Sequence, residues 1–268
     1  MLATLVDRSG GTALPLPTAL VERYGGPLRF PNARPYVFAN FVSTIDGVVS
    51  FDRPGEAQAA RISHGHSADR FMLALLRAVA DAVIVGAGTL RQEPDSIWTP
   101  ESVFPQGALD FAALRRVMDA GARPLTVIAS ASGEVDLSAP ALAEGEPVLI
   151  ITTKNGAARL RDVPAHIEVR GLASTGAREI VREAVAASRG RLILTEGGPR
   201  LLGQFLRDDA LDELFLTIAP RIAGRSPAER RLGIAEGHAF GADDALEERL
   251  VSVKSADDYL FLRFSRAR

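Results

Sequence analysis

The sequence predicts an α/β fold in three layers: a mostly parallel central sheet of about nine strands, helices on both faces, and an antiparallel hairpin at the C-terminal end. Three observations predict it. Short apolar runs of strand length recur along the chain, amphipathic helical patterns lie between several of them, and the last two runs are parted only by a short polar turn.

Tyr36–Thr44 is the first long apolar run. Runs at 82–85, 125–129, 148–152, 167–169, Leu192–Thr195 and 214–219 follow. Runs at 250–254 and 259–264 close the chain around a turn at 255–258. The segment 67–80 places Phe71, Leu75 and Val79 four apart on one helical face, and 111–120 does the same with Phe111, Leu114 and Met118. Segment 177–187 sets Ile180, Val181, Ala184 and Val185 on one side, with Thr175 in position to cap it. Pro199 opens a short helix over 199–206, since proline suits the first helical position. Strands alternating with helices imply parallel pairing with both faces covered, because a crossover helix must pack back on the sheet. No repeat or low-complexity linker divides the 268 residues. Residues 31–268 read as one domain and 1–30 as an N-terminal extension wrapped around it.

The chain contains no cysteine, which excludes a disulfide framework, a thiolate nucleophile and a cysteine zinc site. Its formal net charge is -2 and its arginines are scattered, so no basic field invites nucleic acid. The first residues lack the charged and apolar regions of a signal peptide. No apolar run approaches the roughly 20 residues that span a bilayer. The expectation is a cytoplasmic protein with a small-molecule substrate and neither a membrane nor a nucleic-acid partner.

Three segments carry chemistry. In the first, the run ending at Val85 leads into Gly86-Ala87-Gly88-Thr89. Ligands of open α/β sheets bind beyond the carboxyl ends of strands, and glycines there let backbone approach a pyrophosphate. Arg91 stands where a full dinucleotide fingerprint has its third glycine, so a tight strand-to-loop turn is the competing reading. In the second, Thr195-Glu196-Gly197-Gly198-Pro199 joins a strand to a helix whose N-terminus can receive an anion. A carboxylate at Glu196 would be repelled by phosphate, so it suits a second ligand bearing hydroxyl or ring N–H groups; the plainer alternative is a solvated strand end. In the third, Asn40 and Val42 share one strand face and Phe41 and Ser43 the other, before an Asp46-Gly47 turn. His64 and His66 lack further ligands at metal spacing, so they read as loop residues and no metal site is expected. Trp98 reads as packing or lid, and Ser43 has no partner that would make it a nucleophile.

In order and spacing these segments resemble the reductase domain of the riboflavin-pathway deaminase–reductase family and its stand-alone relatives. The resemblance rests on Thr44-Ile45-Asp46-Gly47, Arg77 within its helix, Val85 to Thr89, Glu93-Pro94-Asp95, Thr195 to Gly198, Leu211-Asp212-Glu213-Leu214 and Ala219 to Gly224. It implies a dihydrofolate-reductase-like fold, a homodimer, and NADPH-dependent reduction of a ribosylaminopyrimidinone 5′-phosphate, ribose to ribityl. It further implies that Val85, Gly86, Ala87, Gly88, Thr89, Glu93, Ser130, Gly197, Gly198, Pro199, Arg200, Leu201 and Leu202 meet the cofactor. Asn40, Ser43, Arg77 and Glu196 would meet the substrate, and Glu196 and Asp46 are the candidate proton donors. Asn40 stands where many members carry lysine, and Thr44 replaces the usual serine. Those departures keep two alternatives open: a pterin or dihydrofolate-like acceptor, and a non-catalytic NADPH-binding protein. The cysteine-dependent deaminase half is absent from this chain.

Overall fold

The computed structural model describes every residue except Ala33, Arg34, Pro54, Glu56, Glu144 and Arg268. Its strands, in chain order, are β1 (Ala3–Asp7), β2 (Thr12–Ala13), β3 (Arg29–Phe30), β4 (Tyr36–Thr44), β5 (Ala82–Gly86), β6 (Leu125–Ser130), β7 (Val148–Thr153), β8 (Ile167–Leu172), β9 (Leu192–Thr195), β10 (Glu213–Ala219), β11 (Glu248–Ala256) and β12 (Tyr259–Arg266). Ten of them form one sheet in the order β1-β11-β12-β10-β4-β9-β5-β6-β7-β8, and β2 and β3 form a separate small ribbon. From β10 to β8 every pairing is parallel. The pairings of β12, β11 and β1 are antiparallel. All nine strands expected from the sequence are present; the tenth, β1, is largely exposed and carries little apolar signal.

The inner parallel strands β4, β9, β5, β6 and β7 are mostly buried on both faces, as their near-continuous apolar composition requires. Side chains alternate between two cores with the period of two that a pleated strand imposes. Val83, Val85, Leu192, Leu194, Phe38, Ile128 and Ile150 enter one core. Ala82, Ile84, Ile193, Val37, Val127 and Leu149 enter the other. The helix Ser67–Val79 covers the first face with Phe71, Leu75 and Val79, and the helix Ala108–Val117 adds Phe111 and Leu114. The helices Ala177–Ser188 and Pro199–Arg207 cover the second with Ile180, Val181, Ala184, Leu202 and Phe205. Three layers result.

Local differences from the sequence reading have physical causes. Thr175 does not cap the helix Ala177–Ser188: the N-cap is Gly176, and Ala177 N donates instead to Asp208 Oδ2 at 2.8 Å. The cap is thus supplied across the interface by the end of the next helix. The C-terminal hairpin tightens to a two-residue turn, Asp257-Asp258, with Asp257 at φ 50. Its second strand is no edge, because β12 pairs with both β11 and β10; the sheet ends on β1 and β8. Residues 1–30 lie against the same core, with β1 on β11 and Leu2, Leu20, Tyr24, Leu28 and Phe30 buried. Among the described residues no helix is long and apolar enough to cross a membrane, and no group of His, Cys, Asp and Glu side chains could hold a metal ion.

Chain order explains where a site can form. The chain steps outward from β5 to β6, β7 and β8, then returns to insert β9 between β4 and β5. Strand ends distant in sequence thereby become neighbours beyond the carboxyl edge of the sheet, where open α/β sheets bind ligands.

Candidate active site

β5 and β9 run level at their ends: Ile84 pairs with Thr195, and Glu196 N donates to Ile84 O at 3.0 Å. The two glycine segments therefore face each other across a groove of about 430 Å³. Gly86, Ala87, Gly88 and Thr89 line one side, Gly198, Pro199, Arg200 and Leu201 the other, and Ser130 and Ser132 close the end above β6. Gly198 N donates to Thr89 Oγ1 at 2.9 Å and ties the two segments together. Leu201 N and Leu202 N both donate to Gly198 O, and Pro199 has no N–H, so Arg200 N is the amide this helix end still offers. Across the groove a second helix, Ala87–Gln92, starts from Gly86 with no side-chain cap, leaving its first amides toward the cavity. Arg91 and Arg200 stand exposed in the lining.

The groove fits a dinucleotide. A Cβ on Gly86 or Gly88 would meet protein atoms only at 3.9 Å, so packing within the protein does not demand glycine at either position. Free space over bare backbone, with amides, two hydroxyls and two guanidiniums around it, suits a pyrophosphate and a further phosphate. Gly197 differs: a Cβ there would collide with the side chain of Leu201, so helix packing alone requires it. Val85 and Leu202, expected beside the cofactor, are instead wholly buried in opposite cores. On the neighbouring strand β7, Thr152 is fully buried and Thr153 is occupied in capping the next helix through Gly156 N.

A smaller cavity of about 130 Å³ adjoins the groove and shares Thr89, Gln92, Gly198 and Pro199 with it. Three carboxylates line it: Asp69, Glu93 and Glu196. Arg77 lines it as well, but its guanidinium is already engaged. Nε donates to Glu196 Oε1 at 2.8 Å and Nη2 to Glu196 Oε2 at 2.6 Å. Nη1 donates to the carbonyls of Ile97 at 3.1 Å and Thr99 at 3.3 Å. The pair is nearly sealed, with side chains 7% and 8% exposed. Arg77, expected to meet the substrate phosphate or ribose, thus positions Glu196, and the carboxylate is held by a planar fork on one side while the residue lines the cavity.

Glu93, expected beside the cofactor, lies in this second cavity. Its Oε1 accepts from Gln58 N at 3.0 Å and its Oε2 from Ser96 Oγ at 3.1 Å. Burial pushes its carboxyl upward in pKa. Burial does the same to Asp69, despite hydrogen bonds from Thr217 and Ser63. Asn40 lines the cavity with its side-chain oxygen buried and unpartnered. Trp98, 2% exposed, forms a wall.

Two expected site residues lie elsewhere. Ser43 is buried and donates to Thr44 O at 2.8 Å, lining neither cavity. Asp46 lines neither cavity. It accepts from Thr44 Oγ1 at 2.7 Å, Ala223 N at 3.0 Å and Gly224 N at 2.8 Å, joining the turn after β4 to the loop after β10. The hydrogen bond from Thr44, with those backbone bonds, lowers its pKa to about 2, so it has no proton to give at neutral pH. Gly47 at φ 80 permits that turn. Asp69 is the functional candidate the sequence reading passed over. Asp69, Leu73 and Arg77 follow at intervals of four along one helix and all line the cavity, a polar-ended stripe on an otherwise apolar face.

Known proteins are similar to this chain in sequence and fold. A family model described as the RibD C-terminal domain matches residues 35–254. The riboflavin biosynthesis protein RibD of Aquifex aeolicus is 24% identical over 239 residues, covering 87% of this chain and 58% of that protein. This chain therefore spans little more than half the length of that relative. The crystal structure of a pyrimidine reductase-like protein from Corynebacterium diphtheriae is 27% identical, with a TM-score of 0.64 over 87% of this chain and 92% of that one. The Saccharomyces riboflavin biosynthesis reductase Rib7 shares the fold at 17% identity, with a TM-score of 0.55 over 93% of this chain and 98% of that one.

Proposed function

The chain belongs to the RibD C-terminal domain family, and we propose that it is an NADPH-dependent reductase of a ribosylaminopyrimidinone 5′-phosphate. One observation carries this reading. A glycine-lined groove suited to a dinucleotide opens beside a carboxylate-lined pocket, and the two share four residues. Cofactor and acceptor would meet at that shared wall, as hydride transfer requires of its two partners. When bound, NADPH would supply the hydride.

The protein's part is binding, orientation and proton handling. Gly86 to Thr89 and Arg200 would hold the pyrophosphate, and Ser130 and Ser132 with Arg91 a phosphate at the adenosine end. Glu196, clamped by Arg77, would accept hydrogen bonds from acceptor hydroxyl or ring N–H groups. Asn40 would turn its unpartnered oxygen to the same ligand. The reduced acceptor also needs a proton, and Glu93 and Asp69 are the carboxyls suited to hold one: both line the pocket and burial favours their neutral forms. Asp46 is unsuited on both counts. The family resemblance further favours a homodimer, which sedimentation at micromolar concentration would test.

A second acceptor class has a specific observation in its favour. The pocket's one lining arginine is committed to Glu196, while its three carboxylates suit the ring N–H groups of a pterin. NADPH oxidation should be followed with the ribosylaminopyrimidinone phosphate and with dihydrofolate in parallel. Turnover of the first alone supports the proposal, and turnover of dihydrofolate alone replaces it. NADPH binding without oxidation by either makes the chain a cofactor-binding protein.

A further inference from the structure

A phosphorylated acceptor needs a cation, and its pocket has none to spare. Arg77 donates to Glu196, Ile97 and Thr99, and the remaining charges there are carboxylates. A concentration of positive charge that the proposed cofactor contacts do not use lines a third cavity, of about 240 Å³, beside the segment 50–53. Among the described residues it is lined by Phe51, Arg53, Arg61, His64, Arg221 and Arg231, none of them acidic.

The backbone around it alternates. Ser50 lines the acceptor pocket, Phe51 and Arg53 line the basic cavity, and Asp52 lines the glycine groove. Opposite, Leu232 bridges Ser50 and lines the groove, while Arg231 lines the basic cavity. Phe51 N donates to Gln58 Oε1 at 2.9 Å, and Gln58 is itself a wall of the acceptor pocket. The basic cavity is therefore separated from the acceptor pocket by one strand-like segment and one short helix, Gln58–Ser63.

Its arginines are placed rather than scattered. Arg221 Nη1 donates to Arg61 O at 2.5 Å, which fixes the guanidinium through a neutral backbone carbonyl. The Arg231 guanidinium lies 4.9 Å from the Phe51 ring centroid and pairs with Glu229. Arg53 and Arg221 have no carboxylate partner among the described residues. Guanidiniums gathered around one concavity repel one another, and a bound anion turns that repulsion into attraction. Planar forks with several N–H donors match phosphate oxygens in geometry as well as charge.

We propose that this cavity binds a phosphate monoester. The nearer source is the acceptor's own phosphate, an assignment that rests on the reductase reading above; the other is a separate phosphorylated ligand. Inorganic phosphate titrated calorimetrically into the full chain tests the site without requiring turnover. The variants are Arg53→Gln and Arg221→Gln, with Arg116→Gln, an exposed residue of the helix Ala108–Val117 that lines none of the three cavities, as the control for net charge. Each cavity variant is expected to bind phosphate about tenfold more weakly, and the control to bind as the wild type does. Absence of phosphate binding by the wild type, or equal binding by all four proteins, overturns the site. Arg53 is exposed and makes no ion pair among the described residues, so its variant decides if Arg221→Gln fails to fold. KM for the phosphorylated acceptor distinguishes the sources. A rise in Arg53→Gln with kcat and NADPH affinity unchanged assigns the cavity to the acceptor. An unchanged KM alongside weakened phosphate binding assigns it to a separate ligand. A wild type that binds phosphate yet does not reduce the acceptor refutes the reductase reading and leaves the site standing.

Discussion

The glycine groove and the acceptor pocket touch, yet they are made of different materials. The groove is backbone: glycines at the ends of β5 and β9, helix-start amides, and small hydroxyl side chains. The pocket is side chain: three carboxylates, one buried arginine, a tryptophan wall and an amide oxygen without a partner. A backbone surface costs the folded protein little, because its polar groups stay near water when no ligand is bound. A wall of buried charge is costly unless each charge is matched, so its members hold one another in place. Recognition in the groove is thus nearly independent of stability, whereas in the pocket the two are coupled.

The largest expected effect tests that coupling. Arg77→Ala removes the cation from a pair that is nearly sealed and leaves Glu196 buried without it. Removing one partner of such a pair costs about 3–5 kcal/mol, so urea unfolding should show a loss of that order. A loss under about 1 kcal/mol would be that of a solvated surface pair and would erase the contrast between the two regions.

Next comes Glu196→Gln, which keeps the shape but removes the charge. Under the proposed function its lost charge-assisted hydrogen bond, about 1.5–3 kcal/mol, slows turnover roughly 10- to 150-fold while NADPH affinity holds. Saturated turnover and NADPH binding should be measured on the same folded preparation. A fall in NADPH affinity with turnover intact would place Glu196 functionally in the groove.

A pair of glycine substitutions sharpens the comparison. Gly197→Ala drives a methyl into Leu201 and should destabilise by about 1–3 kcal/mol, as overpacking does. Gly88→Ala meets nothing closer than 3.9 Å and lies in a helix, so thermal stability should hold or rise by up to about 1 kcal/mol while NADPH affinity falls. Were both variants to lose stability and keep affinity, the groove would be an ordinary packed turn.

The smallest effect lies outside both cavities. Asp46 has its pKa lowered from 3.8 to about 2 in the folded state. A carboxyl lowered on folding stabilises fully above its unfolded value and loses that contribution as pH falls through its folded value. Acid unfolding followed between about pH 4 and pH 2 should therefore be less steep in Asp46→Asn than in the wild type. Turnover at neutral pH should be little changed, and a large loss would return Asp46 to the chemistry.

Much of the fold was legible because it depends on local pattern. The apolar runs at 82–85 and Leu192–Thr195 are strands for the reason their composition suggests, burial on both faces of a parallel sheet. Gly86, Gly88 and Gly198 were legible as groove residues because strand ends followed by glycine are informative without knowledge of neighbours. Val85 and Leu202 were misplaced because adjacency in sequence was taken for adjacency to the ligand, whereas the alternation of a strand and the turn of a helix point neighbours in different directions. β1 was missed because an exposed edge strand has no buried face to give it an apolar period.

The sequence by itself determined the layers, the strands and the backbone groove, since each follows from periodicity or from a residue's own conformational range. Only the tertiary structure decided who partners whom. Arg77 and Glu196 are 119 residues apart, and nothing local joins them; the return of β9 between β4 and β5 does. The same insertion makes one cavity wall of Glu93, Asp69 and Glu196, and segment 50–53 parts that wall from the basic cavity. Electrostatic matching depends on distance through space, and the order in which strands enter a sheet, not their order in the chain, sets that distance.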